Sequence, residues 1–269
     1  MGSFTMQQIQ DYLRCPMMYN LRYRLKMEAP INVYDAYERL MNDTIAYMYY
    51  NIMDNHTLIS SAQFKRKWES LWWPDDVEDP MVFVLTPMYG SIPKDGRKSK
   101  REGIEARRKR LALEGWSILN NLHRQVSANP GEPIAVQHEF TLPIGEHHVS
   151  SQIDLAQIVK MPIGQRIELV HFYVRRNTPD AFEVRNNLKT TFQSYAFRQL
   201  FQTREDTIIY YYLHKGERLS THRDKRDFSR LEAILDNVCT SIEQQLFFPR
   251  HSFYCDTCYL QDPCSQWGK

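Results

Sequence analysis

Several absences narrow the field before any motif is read. The 269 residues hold no run of 18 apolar side chains, so no membrane-crossing helix is expected. The opening residues lack the basic-then-apolar pattern of a secretory leader, which points to the cytoplasm. Internal repeats and low-complexity tracts are missing. A large excess of one charge is missing too: the formal net charge is +2, which alone does not mark a nucleic-acid binder. Cysteine is scarce, with five residues, yet Cys255, Cys258 and Cys264 crowd into the tail. In a reducing compartment such clustered thiols read as metal ligands rather than disulfides.

What is present suits one large domain with a sizeable core: 42% hydrophobic, 25% charged and 13% aromatic residues. The N-terminal half has helical texture. Thr5 can cap a helix carrying Ile9, Tyr12, Leu13 and Met17, interrupted at Pro16. Further helices are predicted over 34–53, 61–72 and 101–128, the second ending at the loop signal Trp73-Pro74-Asp75-Asp76. After Asn129-Pro130-Gly131 the texture changes to strands at 133–142, 148–159 and 166–174. A helix at 185–203, a strand at 207–214 and a helix at 224–246 follow. The order β-β-β-α-β-α predicts an α/β fold with helices around a mixed sheet. The expected division of the single domain 1–269 is a helical insertion at 34–129, a core at 133–246 and a cysteine-rich tail at 250–269.

Cys255-x2-Cys258-x5-Cys264 lets thiolates converge on one metal centre, and a fourth ligand is needed. Cys239 lies in an apolar helix and reads as a core thiol, whereas Cys15 stands in Arg14-Cys15-Pro16 ahead of Tyr19 and is the better candidate. Spacing leaves zinc and iron–sulfur both open. A basic run of Lys94, Arg97, Lys98, Lys100, Arg101, Arg107, Arg108, Lys109 and Arg110 is either a solvated face or a phosphate-contacting surface. The same choice applies to Arg175-Arg176. The aromatics Tyr47, Tyr49, Tyr50, Trp68, Trp72 and Trp73 read as core before they read as a partner face. His147-His148 reads as an exposed turn before it reads, with His171, as a zinc site.

The segment Thr5-Met6-Gln7-Gln8-Ile9-Gln10-Asp11-Tyr12-Leu13-Arg14-Cys15-Pro16-Met17-Met18-Tyr19 resembles the opening of RecB/AddB-type PD-(D/E)XK nucleases. In the iron–sulfur branch of that family the first cysteine joins a C-terminal C-x2-C-x5-C. The resemblance therefore implies a 4Fe–4S cluster on Cys15, Cys255, Cys258 and Cys264, with zinc as the alternative. It also implies a restriction-endonuclease-like core with a helical insertion and a four-cysteine staple. Active members hold Mg²⁺ or Mn²⁺ between an Asp and a second acid on the next strand, with a Lys two residues further on. Ser151-Gln152-Ile153-Asp154 resembles the family's G-x-I-D, which puts Asp154 at the first acid. His171 then stands at the second acid and Tyr173 at the Lys. Gln193 keeps the family's helical Gln, with Phe197 at its Tyr, and Glu139 matches a Glu that many members carry before the Asp strand. The upstream metal-binding His, expected within 36–46, is missing.

These departures imply a nuclease fold without catalysis, binding nucleic acid or serving as a scaffold in a replication, recombination or transcription complex. Candidate phosphate contacts are Arg97, Lys98, Lys100, Arg101, Arg107, Arg108, Arg175 and Arg176. One alternative is an active exonuclease or endonuclease, with Glu139, Asp154, Glu168 and His171 holding Mn²⁺ or Mg²⁺. Another is a pure protein-interaction subunit. The divergence suits a viral or mobile-element protein, which would act in the host cytoplasm.

Overall fold

The computed structural model describes residues 2–27, 33–72, 104–174, 180–252, 255–256 and 258–267. Strand β1 (Ser3–Thr5) leads into helix α1 (Met6–Arg14), the four-residue helix α2 (Pro16–Tyr19) and a π-helical turn (Asn20–Arg24). Helices α3 (Val33–Asn55), α4 (Ser61–Trp72) and α5 (Ile104–Ala128) follow. The remainder runs β2 (Glu132–Ile144), β3 (His147–Lys160), β4 (Gln165–Tyr173), α6 (Ala181–Asn186), α7 (Leu188–Phe201), β5 (Thr207–Tyr212), β6 (Glu217–Thr221), α8 (Lys225–Glu243) and α9 (Gln261–Ser265).

The strands form one mixed sheet. β2, β3 and β4 are an antiparallel meander, β5 lies parallel to β4, and β6 returns antiparallel beside β5. β1 runs parallel to the start of β3, with Ser3 opposite His148. β2 occupies the other edge of β3 at that level, so β1 and β4 share an edge of β3 at different heights. Every residue of β5 is buried, because helices cover both sheet faces. Ile209 and Tyr211 join Val170, Phe172 and Leu155 in a core closed by α3, α4 and α5, which includes Trp68, Trp72 and Tyr49. Ile208, Tyr210 and Tyr212 join Leu169 and Tyr173 in a second core, closed by α1, α7 and α8. The aromatic helices are thus largely core. Among the described residues, no helix is long and apolar enough to cross a membrane.

Local chemistry explains the ends of several elements. Thr5 and Gln8 form a reciprocal capping box on α1. Pro16 begins α2, and Cys15 between the two helices is extended, with φ −161° and ψ 112°. The expected single helix over 185–203 is two helices. The side chain of Asn187 caps α7 by accepting from the Thr190 N–H at 3.0 Å, and the chain bends there. Neither β1 nor β6 was expected. Each is short, and β6 is reached through Gly216, whose φ of 67° suits a left-handed turn. The reading of His147 as an exposed turn residue is overturned: it is buried at the start of β3, edge-on to Phe4 and 3.3 Å from Thr240 Oγ1 of α8.

Phe192 of α7 is fully buried against Phe140, whereas Leu200 of the same helix is exposed. Phe192→Ala is expected to destabilise the protein by about 3–5 kcal/mol, against less than about 0.5 kcal/mol for Leu200→Ala. Urea unfolding followed by circular dichroism reads both, and equal effects would contradict this layering.

Candidate functional site

The sheet and α7 converge on one carboxylate. Asp154 stands on β3, beside the point where β4 carries His171, and His171 Nδ1 approaches Asp154 Oδ2 at 2.5 Å. From α7, Lys189 Nζ reaches Asp154 Oδ1 at 3.3 Å, and Gln193 Nε2 reaches the same oxygen at 3.1 Å. Gln193 Nε2 also donates to the Gln152 carbonyl at 2.8 Å. Lys189 and Gln193 are four residues apart, so one helix face presents both. Across the strand pair, β2 takes a positive φ of 41° at Gln137. The ladder pairs Val136 with Leu155 and His138 with Ile153, stepping past Gln137 and Asp154.

Burial disfavours the charge on Asp154, but the Lys189 ammonium and the His171 hydrogen bond outweigh it and hold the carboxyl well below the usual carboxylate range. His171 packs edge-on to Tyr210, whose hydroxyl is 2.7 Å from Thr190 Oγ1 and whose pKa burial pushes up to about 12. The remaining sequence candidates lie around this centre. Tyr173 is buried edge-on to Tyr212. Glu139 is exposed on β2 opposite Gln152, and among the described residues no hydrogen bond joins it to Asp154. Glu168 faces the other side of the sheet, buried with Arg166, Arg218 and Gln157. Arg97, Lys98, Lys100, Arg101, Arg175 and Arg176 lie outside the described residues; Arg107 and Arg108 fall on α5, but their side chains lie outside the description.

Lys189 is the site residue that the strand motif did not reveal. The signal was its position one helical turn before Gln193: a helix that aims Gln193 at Asp154 aims Lys189 there as well. The donor set does not fit a hard divalent cation. Among the described residues it offers a single carboxylate, both of its oxygens are engaged, and one partner is itself a cation.

The chain ends meet elsewhere on the molecule. Tyr12 OH donates to the Leu246 carbonyl at 2.8 Å, and the Met17 N–H donates to the Phe248 carbonyl at 3.1 Å. The Arg250 N–H points at Cys15 Sγ (3.5 Å), and the Ser252 N–H points at Cys255 Sγ (3.4 Å). Cys15, Cys258 and Cys264 pack around Met17, Met18, Leu21 and Leu260. Burial raises the Cys264 thiol pKa, and Cys15, Cys258 and Cys255 raise it further. Four soft donors therefore share one neighbourhood, with backbone N–H groups aimed at two of them, which fits a thiolate-bound metal centre in chemistry. Among the described residues, no three His, Cys, Asp or Glu side chains are close enough to hold an ion as they stand.

Cys239 is apart from this group, fully buried in α8, and burial pushes its thiol pKa up to about 12. In the native protein it should react with iodoacetamide at least about tenfold more slowly than in denaturant, since the thiolate is the nucleophile. Peptide mass spectrometry of timed samples checks this, and native labelling at the denatured rate would contradict the burial.

No curated protein matches this sequence. The family model described as the PD-(D/E)XK nuclease superfamily matches residues 3–265, nearly the whole length. That match agrees with a mixed sheet between helical layers and with an Asp-bearing strand beside a Gln-bearing helix, and the chain belongs to the PD-(D/E)XK nuclease superfamily.

Proposed function

We propose that this protein keeps the nuclease fold without metal-dependent hydrolysis and binds nucleic acid as a component of a DNA- or RNA-processing complex. The engagement of both Asp154 oxygens carries the reading. His171 takes one oxygen, while Lys189 and Gln193 share the other, where an active member needs open carboxylate oxygens and a second acid. Tyr173, in the position of the strand Lys, is packed in the core. The superfamily membership supports nucleic acid as the partner class. Arg97, Lys98, Lys100, Arg101, Arg107, Arg108, Arg175 and Arg176 are the proposed phosphate contacts in sequence.

On this reading Cys15, Cys255, Cys258 and Cys264 hold a 4Fe–4S cluster. Four thiolates leave no open ligand position, so the cluster's contribution is to tie the tail to the α1–α2 bend and make folding depend on metal. The contacts of 246–250 with α1 and α2 support that role.

Two experiments test these statements. Labelled single- and double-stranded DNA and RNA, incubated with Mg²⁺ or Mn²⁺, are expected to be bound at low salt and left intact. Cleavage that Asp154→Ala abolishes would make the protein an active nuclease, and no binding at low salt would leave a protein-interaction role. Protein purified anaerobically is expected to carry iron and acid-labile sulfide and to absorb near about 400 nm. Cys15→Ala should lose the iron and Cys239→Ala should keep it; a colourless, zinc-loaded protein would contradict the cluster.

A further inference from the structure

Lys189 stands in an unfavourable place for a lysine. It is the second residue of α7, where the aligned peptide dipoles present positive charge. A cation there needs compensation, and Asp154 supplies it across 3.3 Å. The resulting charge balance differs from that of a metal nuclease. Two acidic ligands repel a phosphate until a divalent ion arrives between them. Here one carboxylate is already neutralised, and its other neighbours are an amide and an imidazole whose Nδ1 faces it. Glu183, on α6, is near enough to act on the Tyr210 hydroxyl, as Asp154 does, whereas the Asp154 carboxyl responds to burial and, against it, to Lys189 and His171.

Accessibility ranks the partners. The Lys189 side chain is 30% exposed and that of Asp154 15%. Lys189 is therefore the more exposed member of the pair. An ammonium has three donors, and Asp154 Oδ1 uses one. Gln193 has no comparable reserve, because its amide nitrogen serves both the Gln152 carbonyl and Asp154. A phosphodiester oxygen approaching this centre meets a positioned cation whose carboxylate partner is already paired.

Resting on the reading of the protein as a nucleic-acid binder, we infer that Lys189 is a built-in cation that takes over the charge-balancing place of the divalent ion at Asp154, so that the former catalytic centre receives a backbone phosphate of the bound strand without any metal. Lys189 is then a binding residue, and Asp154 is a positioning residue that holds its ammonium at the sheet.

The test is fluorescence anisotropy of the full-length protein with a labelled single-stranded oligonucleotide over a salt series, in EDTA and in Mg²⁺. Wild-type protein should bind equally well in both. Lys189→Met should weaken binding several-fold and lower the slope of log affinity against log salt by about 0.7, the share of one phosphate contact on a single strand. Lys189→Arg should recover most of that loss, and unchanged melting curves for both variants exclude misfolding as the cause. Binding that requires Mg²⁺, or a Lys189→Met protein with wild-type affinity and slope, would overturn the assignment while leaving nucleic-acid binding in place. Failure of the wild-type protein to bind any oligonucleotide in either buffer would remove the underlying reading as well.

Discussion

Everything at the candidate centre follows from one connection, the parallel pairing of β4 with β5. Parallel neighbours cannot be joined by a tight turn, so the chain must leave β4, cross one face of the sheet and re-enter alongside. The crossover includes α6 and α7, and α7 packs against β3 and α8. That path lays the first turns of α7 over Asp154, bringing Lys189 and Gln193 to a carboxylate on β3. The Asn187 cap fixes where α7 begins, and so which of its residues face the sheet. Tyr210 of β5 closes the arrangement beneath, touching both Thr190 and His171.

Buried charge is handled in the same way on both faces. Glu168 has no exposed surface and is held by Arg166, Arg218 and Gln157. Glu205 is buried and accepts from Ser194 at 2.6 Å and from Arg198 at 2.6 and 2.9 Å. Arg223 is buried too, and donates to Thr191, Thr221 and the carbonyls of Val184 and His222. Desolvating any of these ions alone would cost several kcal/mol, and their partners offset that cost only while the geometry is held. Such networks specify register: β4, β5 and the segment before α8 cannot slide without leaving an ion unpaired.

The sequence announced its long elements clearly. Helices α3, α4 and α5 and the strands of the meander were legible because hydrophobic period and stop signals agreed. The family opening at Thr5–Tyr19 located Cys15, and the G-x-I-D-like segment located Asp154. Other features depend on long-range contacts that no local pattern encodes. β1 has three residues and exists only because β3 offers it an edge. His147 sits next to a turn and looked solvated, yet α8 returns to cover it. Lys189 was passed over because a strand motif directs attention to the two residues after an acid, whereas here the lysine arrives from a helix packed above the sheet.

The seam between the chain ends also shapes the order of events at the ribosome. β1 and α1 are made before β3, with which β1 pairs, and the α1–α2 bend rests on residues 246–250, which follow far later in the chain. Contacts so distant in sequence close slowly, since the loop entropy is lost before the contact repays it. The apolar side of α1, with Met6, Ile9 and Tyr12, therefore lacks its final cover until residues 246–250 have been made. A nascent chain of this design has a long interval in which α1 is open to chaperones, and residues 246–250 act as the latch.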